Sequence, residues 1–238
     1  MKAIITGHTR GLGQALANEL TGRGVEVLGL ARGSAASVGR AASLQEAGID
    51  LADADALATL LETPLLAGFA DGAHTLLLIN NAATAGPPGY AGTLGARQVA
   101  RALALNVQAP LMLAERVLAR AGGARRVMHI SSGAGVDAYA AWSVYCASKA
   151  ALDQHARSLW HESRQARPWL RVASVSPGVI DTEMQRALRE ADGENFPLQA
   201  ELRKLHPSGQ LQSPQACARR LVELLLDPGY GEVAVLAL

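Results

Sequence analysis

Short apolar runs rich in strand-forming residues alternate with longer Ala/Leu-rich amphipathic runs along all 238 residues of the chain. This alternation is the pattern of repeated βαβ units, and it predicts a parallel sheet wrapped by helices. Seven strands are expected, at residues 2–6, 25–31, 48–51, 75–80, 125–131, 170–176 and 232–236. Cores such as Ala3-Ile4-Ile5 and Leu76-Leu77-Leu78-Ile79 are almost unbroken apolar stretches, as strands covered on both faces must be. Helices are expected near 12–22, 54–66, 94–121, 143–165, 183–204 and 214–226, with Gly122-Gly123 and Pro168 as stops. The Ala/Ser-rich stretch 34–47 supports no more than a short or irregular helix. No repeat, low-complexity tract or linker interrupts the pattern. The expected fold is therefore one α/β domain over 1–238, a doubly wound seven-stranded parallel sheet with helices on both faces.

Composition agrees with a packed domain. Hydrophobic residues make up 49% and charged residues 18% of the chain. At this size a compact fold removes roughly 70–75% of the unfolded surface from water without help from disulfides or metals. Two cysteines, Cys146 and Cys217, cannot build a secreted disulfide framework. The net charge is +1, and no block of like charge is long enough to grip nucleic acid or an acidic membrane. No run approaches the roughly 18 apolar residues of a membrane span, and the first apolar run is too short for a signal peptide. The expectation is a soluble, cytoplasmic protein with neither nucleic acid nor membrane as partner.

Thr6-Gly7-His8-Thr9-Arg10-Gly11-Leu12-Gly13 joins the first strand to the first helix. Glycines here let the chain turn sharply, let backbone approach a pyrophosphate and let the helix pack close to the sheet, while the helix N-terminus offers N–H groups to the anion. Alone, the cluster reads as readily as a plain tight turn. Its spacing resembles the Thr-Gly-x-x-x-Gly-x-Gly signature of the short-chain dehydrogenase/reductase family, whose members fold as a Rossmann domain around a nicotinamide coenzyme. In such a sheet an acid ending the second strand receives a ribose 2′-hydroxyl, whereas a 2′-phosphate needs a cation. The strand ends Gly29-Leu30-Ala31-Arg32, no acid lies between Val27 and Gln45, and Arg10 can add a second guanidinium. Unless both arginines are simply solvated, NADP(H) is expected in preference to NAD(H). The resemblance puts Gly7, Thr9, Arg10, Gly11, Leu12, Gly13 and Arg32 at the coenzyme, with Asp50 and Leu51 beside its adenine. Asp50 also reads as an ordinary helix-capping residue. His8 stands where a small residue is usual.

Tyr145-Cys146-Ala147-Ser148-Lys149 lies on an expected helix, where four residues advance about 400° and put phenol and ammonium on one face. A neighbouring ammonium stabilises a phenolate and draws its pKa from near 10 toward neutrality, where tyrosine can act as acid or base. With three lysines and four tyrosines in the chain, the spacing also arises by chance. Further positions match in family order: Asn80-Asn81-Ala82-Ala83 after the fourth strand, Asn106 within a long helix, Ser132 ahead of Tyr145, and Pro177-Gly178 after the sixth strand. Each alone reads as a turn former, a strand-end hydroxyl or punctuation. Together they carry the resemblance across most of the chain. It implies that Tyr145 gives a proton to a carbonyl oxygen as hydride arrives from the nicotinamide. It also implies that Lys149 lowers the Tyr145 pKa and holds the ribose, that Ser132 hydrogen-bonds the carbonyl oxygen, and that Asn106 holds a water serving Lys149. Asn81, Ala82, Ala83, Pro177, Gly178, Ile180 and Thr182 are expected along the coenzyme.

The overall length and the tail from Pro177 onward most resemble the branch of sepiapterin reductases and bacterial benzil reductases, which reduce ketones and vicinal dicarbonyls with NADPH. A pterin anchor on the last strand is lacking, since Glu232 stands only at its start. Ala85, Val136, Tyr139, Trp142, Met184, Leu188, Phe196 and Leu198 form a candidate apolar substrate wall, or part of the core, with 183–213 as the substrate-loop region. The expected activity is NADPH-dependent reduction of a small, mostly apolar ketone or vicinal dicarbonyl. The alternatives are a reductase like those acting on 3-oxoacyl carrier proteins, and an NADP-sensing protein without turnover. The six histidines show no His-Glu-x-x-His and Ser132 lacks a Gly-x-Ser-x-Gly elbow, so no metal or serine-nucleophile chemistry is expected. Leu152, Ala156, Leu159 and Trp160 make an apolar stripe for either a homodimer or homotetramer face or the core.

Overall fold

A computed structural model describes residues 1–34, 43–86, 88–119, 122–205, 207 and 209–238. Its strands are β1 (Lys2–Thr6), β2 (Glu26–Ala31), β3 (Leu44–Gly48), β4 (Thr75–Asn80), β5 (Ala124–Ile130), β6 (Leu170–Ser176) and β7 (Val235–Ala237). They form one sheet in the order β3-β2-β1-β4-β5-β6-β7 with every pairing parallel. Strand order reverses between β1 and β4, and this opens a crevice beyond the carboxyl ends of the strands. The expected α/β class and strand number hold.

The helices are α1 (Gly11–Gly22), α2 (Ala54–Glu62), α3 (Pro64–Ala70), α4 (Ala96–Leu103), α5 (Ala109–Leu118), α6 (Ser143–Gln165), α7 (Glu183–Arg189), α8 (Gln199–Leu205) and α9 (Pro214–Leu226). Side chains alternate between the two faces of the sheet, as a period of two demands. Ala3, Ile5, Val27, Leu77, Ile79, Met128 and Val175 pack under α1 and α9. Ile4, Leu28, Leu76, Leu78, Val127 and Val172 pack under α2, α3, α5 and α6. Leu152, Ala156 and Leu159 are buried, Ala156 and Leu159 within this second layer with Trp160 partly buried against it, so these side chains of the stripe on α6 serve the core. Among the described residues no helix is long and apolar enough to cross a membrane.

Five expectations need correction. β3 occupies Leu44–Gly48, inside the stretch read as irregular, instead of 48–51. It is an edge strand paired with β2 from Val27↔Leu44 to Ala31↔Gly48, and none of its residues is buried, so no apolar run marks it. The helix expected over 54–66 breaks at Thr63, whose hydroxyl accepts from the Leu65 N–H while Pro64 opens α3. The helix expected over 94–121 contains a π-helical segment, Ala104–Gln108, between α4 and α5. Pro110 has no N–H for the carbonyl four residues back, that of Asn106, and this breaks the α-helical ladder there. The helix expected over 183–204 becomes α7 and α8, separated by a loop containing Gly193 and Pro197. β7 also begins later than expected, at Val235.

Candidate active site

The turn after β1 is built from glycine geometry. Gly7 (φ +68°) and Gly11 (φ +55°) take left-handed conformations, and a Cβ on Gly13 would stand 2.1 Å from the Gly7 carbonyl oxygen. Glycine at 13 is thus what lets α1 close on the turn. Among the described residues no side chain caps the start of α1 and no acid lies in its first turn, so its first N–H groups face an anion-friendly end. The Asn81 amide donates to the Thr6 carbonyl (2.9 Å) and the Gly7 carbonyl (3.3 Å). The Thr6 hydroxyl accepts from the N–H groups of Asn81 and Ala82, both at 2.9 Å. Asn81 therefore braces the turn.

His8 points into the fold. Its ring is fully buried, lies against Gly29 so closely that a Cβ there would come within 2.4 Å of it, and reaches Glu46 of β3 through Nε2 at 2.7 Å. Arg10 is exposed and paired with Glu183 at the start of α7. Asp50 accepts from the Ala52 N–H (3.0 Å) and pairs with Arg101 (2.6 Å). These contacts, the Ala52 N–H first and then Arg101 and Arg32, hold its carboxyl below the usual range. Leu51 is buried in the core. Thr182 caps α7, Ile180 bridges to Gln212, and the Pro177 carbonyl accepts from the Gln212 amide (3.1 Å) beside Gly178 (φ +78°).

At the carboxyl end of β5 the chain reaches Ser132, which caps a short 3₁₀ turn, Gly133–Gly135, accepting from the Ala134 N–H at 3.2 Å. Across from it α6 carries Tyr145 and Lys149, both buried. Lys149 Nζ donates to the Ile130 carbonyl at 2.7 Å and stands 5.5 Å from the centre of the Tyr145 ring. Burial pushes the phenol up to about 12, against a lowering by its hydrogen bond with Ser132. Burial also brings Lys149 down to about 8, although Asp153 opposes this. The expected fall of the phenol toward neutrality is thus not produced by the side chains around it, because desolvation of the phenolate outweighs them.

Asn106 lies in the π-helical segment. Its amide donates to the Thr84 carbonyl (2.8 Å) and to Ser148 Oγ (3.1 Å), and its carbonyl oxygen accepts from the Thr84 N–H (2.9 Å). The side chain thereby ties the loop after β4 to α6. Below the site, Asn80, His129 and Ser174 are register partners across β4, β5 and β6 and form a polar row facing α5 and α6. Asn80 Nδ2 meets the Pro110 carbonyl (3.4 Å) and His129 Nδ1 (3.1 Å). An amide N–H can only donate, so His129 carries its proton on Nε2 and gives it to His155 Nδ1 (3.1 Å).

Most of the candidate substrate wall packs as a buried cluster instead, and of its eight residues only Ala85 and Trp142 line the cleft beside Tyr145. Trp142 stacks on Tyr145 (centroids 4.3 Å apart, 20° between planes), and Phe196 meets Trp142 edge-on. Leu188 joins this cluster, with Ala85, Tyr139, Met184 and Leu198 around it. Val136 does not, being 76% exposed. A narrow cleft lies between the 84–86 loop, α4 and the start of α6. Its walls include Leu94, Val99, Trp142 and Tyr145, with Thr84, Gln98 and Asn106 as polar groups. Sequence reasoning missed the α4 contribution, because its strongly amphipathic pattern reads as ordinary packing against the core and does not say that its apolar side lines a cleft.

A family model described as short chain dehydrogenase matches residues 1–193. The chain belongs to this family. Among its relatives, a benzil reductase ((S)-benzoin forming) of Bacillus subtilis (strain 168) is 36% identical over 225 residues, covering 93% of this chain and 92% of that one. A sepiapterin reductase of Mus musculus is 31% identical over 241 residues, covering 93% and 90%. A crystal structure of a short-chain dehydrogenase/reductase from Burkholderia vietnamiensis shares 39% identity with a TM-score of 0.69, covering 98% and 95%. As a short-chain dehydrogenase the protein is an oxidoreductase working with a nicotinamide coenzyme. The cradle a Cβ at Gly13 would fill, together with the uncapped start of α1, fits a dinucleotide pyrophosphate.

Proposed function

We propose that the protein reduces the carbonyl of a small, mostly apolar ketone or vicinal dicarbonyl with NADPH, and that Tyr145 is the proton donor. The observation that carries this reading is the buried Tyr145 side chain, one helix turn from Lys149, near Ser132 and beside a mostly apolar cleft. When bound, the reduced nicotinamide supplies the hydride that adds to the carbonyl carbon. Tyr145 Oη gives its proton to the carbonyl oxygen, and the Ser132 hydroxyl steadies the charge that develops on that oxygen. A phenol held at about 12 is fully protonated at neutral pH, so the donor is always loaded. What it needs is stabilisation of the phenolate left behind, which the Lys149 ammonium and the Ser132 hydroxyl provide. Both N–H groups of the Asn106 side chain are committed, to Thr84 and Ser148. Asn106 is assigned the water that resupplies Lys149, held at its main-chain carbonyl, to which Pro110 has no N–H to give.

Preference for NADPH rests on Arg32 at the end of β2, on the lack of an acid there, and on Arg10, which would exchange Glu183 for a phosphate. Benzil, in the name of a relative, is a vicinal dicarbonyl with two aryl rings, and the mostly apolar lining beside Tyr145, with Trp142 in it, supports a substrate of that class. The test is a panel of benzil, small diketones and acetoacetyl thioesters followed by NADPH oxidation, with Tyr145→Phe alongside. The variant is expected to bind NADPH within about twofold of wild type and to lose at least about 100-fold in turnover. Equal turnover in both proteins would remove Tyr145 from the chemistry, and coenzyme binding without oxidation by any of these compounds would favour a sensing role.

A further inference from the structure

Asp153 follows Lys149 by four residues and Tyr145 by eight, so the three side chains lie along one face of α6. It is 1% exposed. Its Oδ1 accepts from Ser174 Oγ of the polar row at 2.6 Å. Its Oδ2 lies against Gly135, the last residue of the Ser132 turn, and a Cβ on Gly135 would come within 2.4 Å of that oxygen and 3.2 Å of the Lys149 main-chain carbon. Gly135 therefore leaves the space that the carboxylate fills. A buried carboxylate met by a neutral hydroxyl is costly unless a cation stands near, and the nearest cation along the same face of α6 is Lys149, one turn away with its Nζ on the Ile130 carbonyl.

We propose that Asp153 is a positioning residue, whose carboxylate keeps the Lys149 ammonium charged and seats the Ser132 turn against α6. The inference rests on the reading of Tyr145, Lys149 and Ser132 as the reducing machinery, and Asp153 acts through them without touching substrate. Tyr145 and Asp153 on α6 and His129 on β5 are the titratable groups facing the ammonium. The π-helical segment, the 3₁₀ turn and β6 present Asn106, Ser132 and Ser174, which do not ionise in the relevant range. β7 contributes apolar side chains, and Arg101 of α4 is turned to Asp50. Of these groups Asp153 opposes the loss of charge that burial imposes on Lys149, while His129 is neutral.

The chain has three lysines, Lys2, Lys149 and Lys204, so the side-chain NMR signal of Lys149 is identified by its disappearance in Lys149→Met. The expected result is that Asp153→Asn lowers the titration midpoint of Lys149 by about one pH unit. Asp153→Ser, which shortens the side chain and can still pair with Ser174, is expected to shift it in the same direction should the Asn variant fold poorly. In carbonyl reduction, the alkaline fall of kcat should move to lower pH with KM for NADPH little changed. A midpoint unchanged in either folded variant overturns the proposal, since a packing role alone would lower stability and leave the lysine titration where it was. The NMR titration needs no turnover, so its failure is separate from failure of the carbonyl-reductase reading.

Discussion

Arg10 and Arg32, the two arginines proposed to receive the 2′-phosphate of NADPH, differ in what they already hold. Arg10 is neutralised by Glu183 across the mouth between α1 and α7, and any phosphate it receives must compete with that carboxylate. Arg32 is exposed and acts on Asp50 through charge alone, so its guanidinium is the readier partner for a 2′-phosphate. Replacing it with an acid removes an attraction and adds a repulsion. Arg32→Asp is expected to raise the Kd for NADPH at least tenfold, about 1.4 kcal/mol or more, and to leave NADH within about twofold. Fluorescence titration with the two coenzymes checks this, and an unchanged NADPH affinity would take Arg32 out of the site. The candidate residues for chemistry stood out in the sequence because residue type and spacing point to them, as with Tyr145 and Lys149, which the structure buries on one face of α6, and the glycines that shape the turn after β1. Their partners did not. Arg10 finds Glu183 across 173 positions and Asp50 finds Arg101 across 51, separations that no local pattern encodes. Asp153 was within reach, four residues beyond Lys149, but a lone acid on a helix ordinarily faces water and gives no sign of burial.

Among the elements, the central strands announced themselves as apolar runs because helices cover both their faces, whereas β3 did not, because it is an edge strand with no buried residue, Leu44 and Ala47 packing only partly against the two core layers. What holds β3 to the glycine turn is a side-chain exchange of volume. The His8 ring occupies the space that Gly29 leaves on β2, and its Nε2 grips Glu46 on β3, so the turn, β2 and β3 are joined at one point. The π-helical segment was equally unreadable as such, although Pro110 was visible, because a proline says that a ladder breaks and not how the chain recovers. Gly29→Ala tests the volume argument. The added methyl would meet a fully buried ring, and overpacking of this kind costs about 1–3 kcal/mol. For a chain of this size that corresponds to a fall in Tm of roughly 2–4 °C per kcal/mol. The double variant His8→Ala/Gly29→Ala should recover part of the loss, since the small residue at 8 vacates the space. A Gly29→Ala protein melting with wild type would show that the ring is free to move aside.

For the whole molecule, the buried polar row beneath the site sets how stability responds to acid. His129 is sealed between β5 and α6, and burial first, then His155 and Lys149, bring its pKa down from 6.5 to about 3. The unfolded chain takes up this proton near pH 6.5 and the folded chain does so only near pH 3. Across that window the unfolded state therefore binds one proton more, and stability falls as pH falls, by about 1.4 kcal/mol for each pH unit. His155 is also lowered, mainly by burial, and adds to the slope in the same direction. Tyr145 works at the opposite end: its raised pKa contributes stability present below pH 10 and lost as pH climbs toward about 12. Denaturant unfolding at pH 7, 6, 5 and 4 should trace the acid limb, and His129→Gln should flatten it by about one proton, whatever the variant costs in absolute stability. A slope identical in the two proteins would mean that His129 accepts its proton in the folded state. The row from Asn80 through His129 to Ser174 would then be an ordinary protonated network instead of a neutral floor under Lys149.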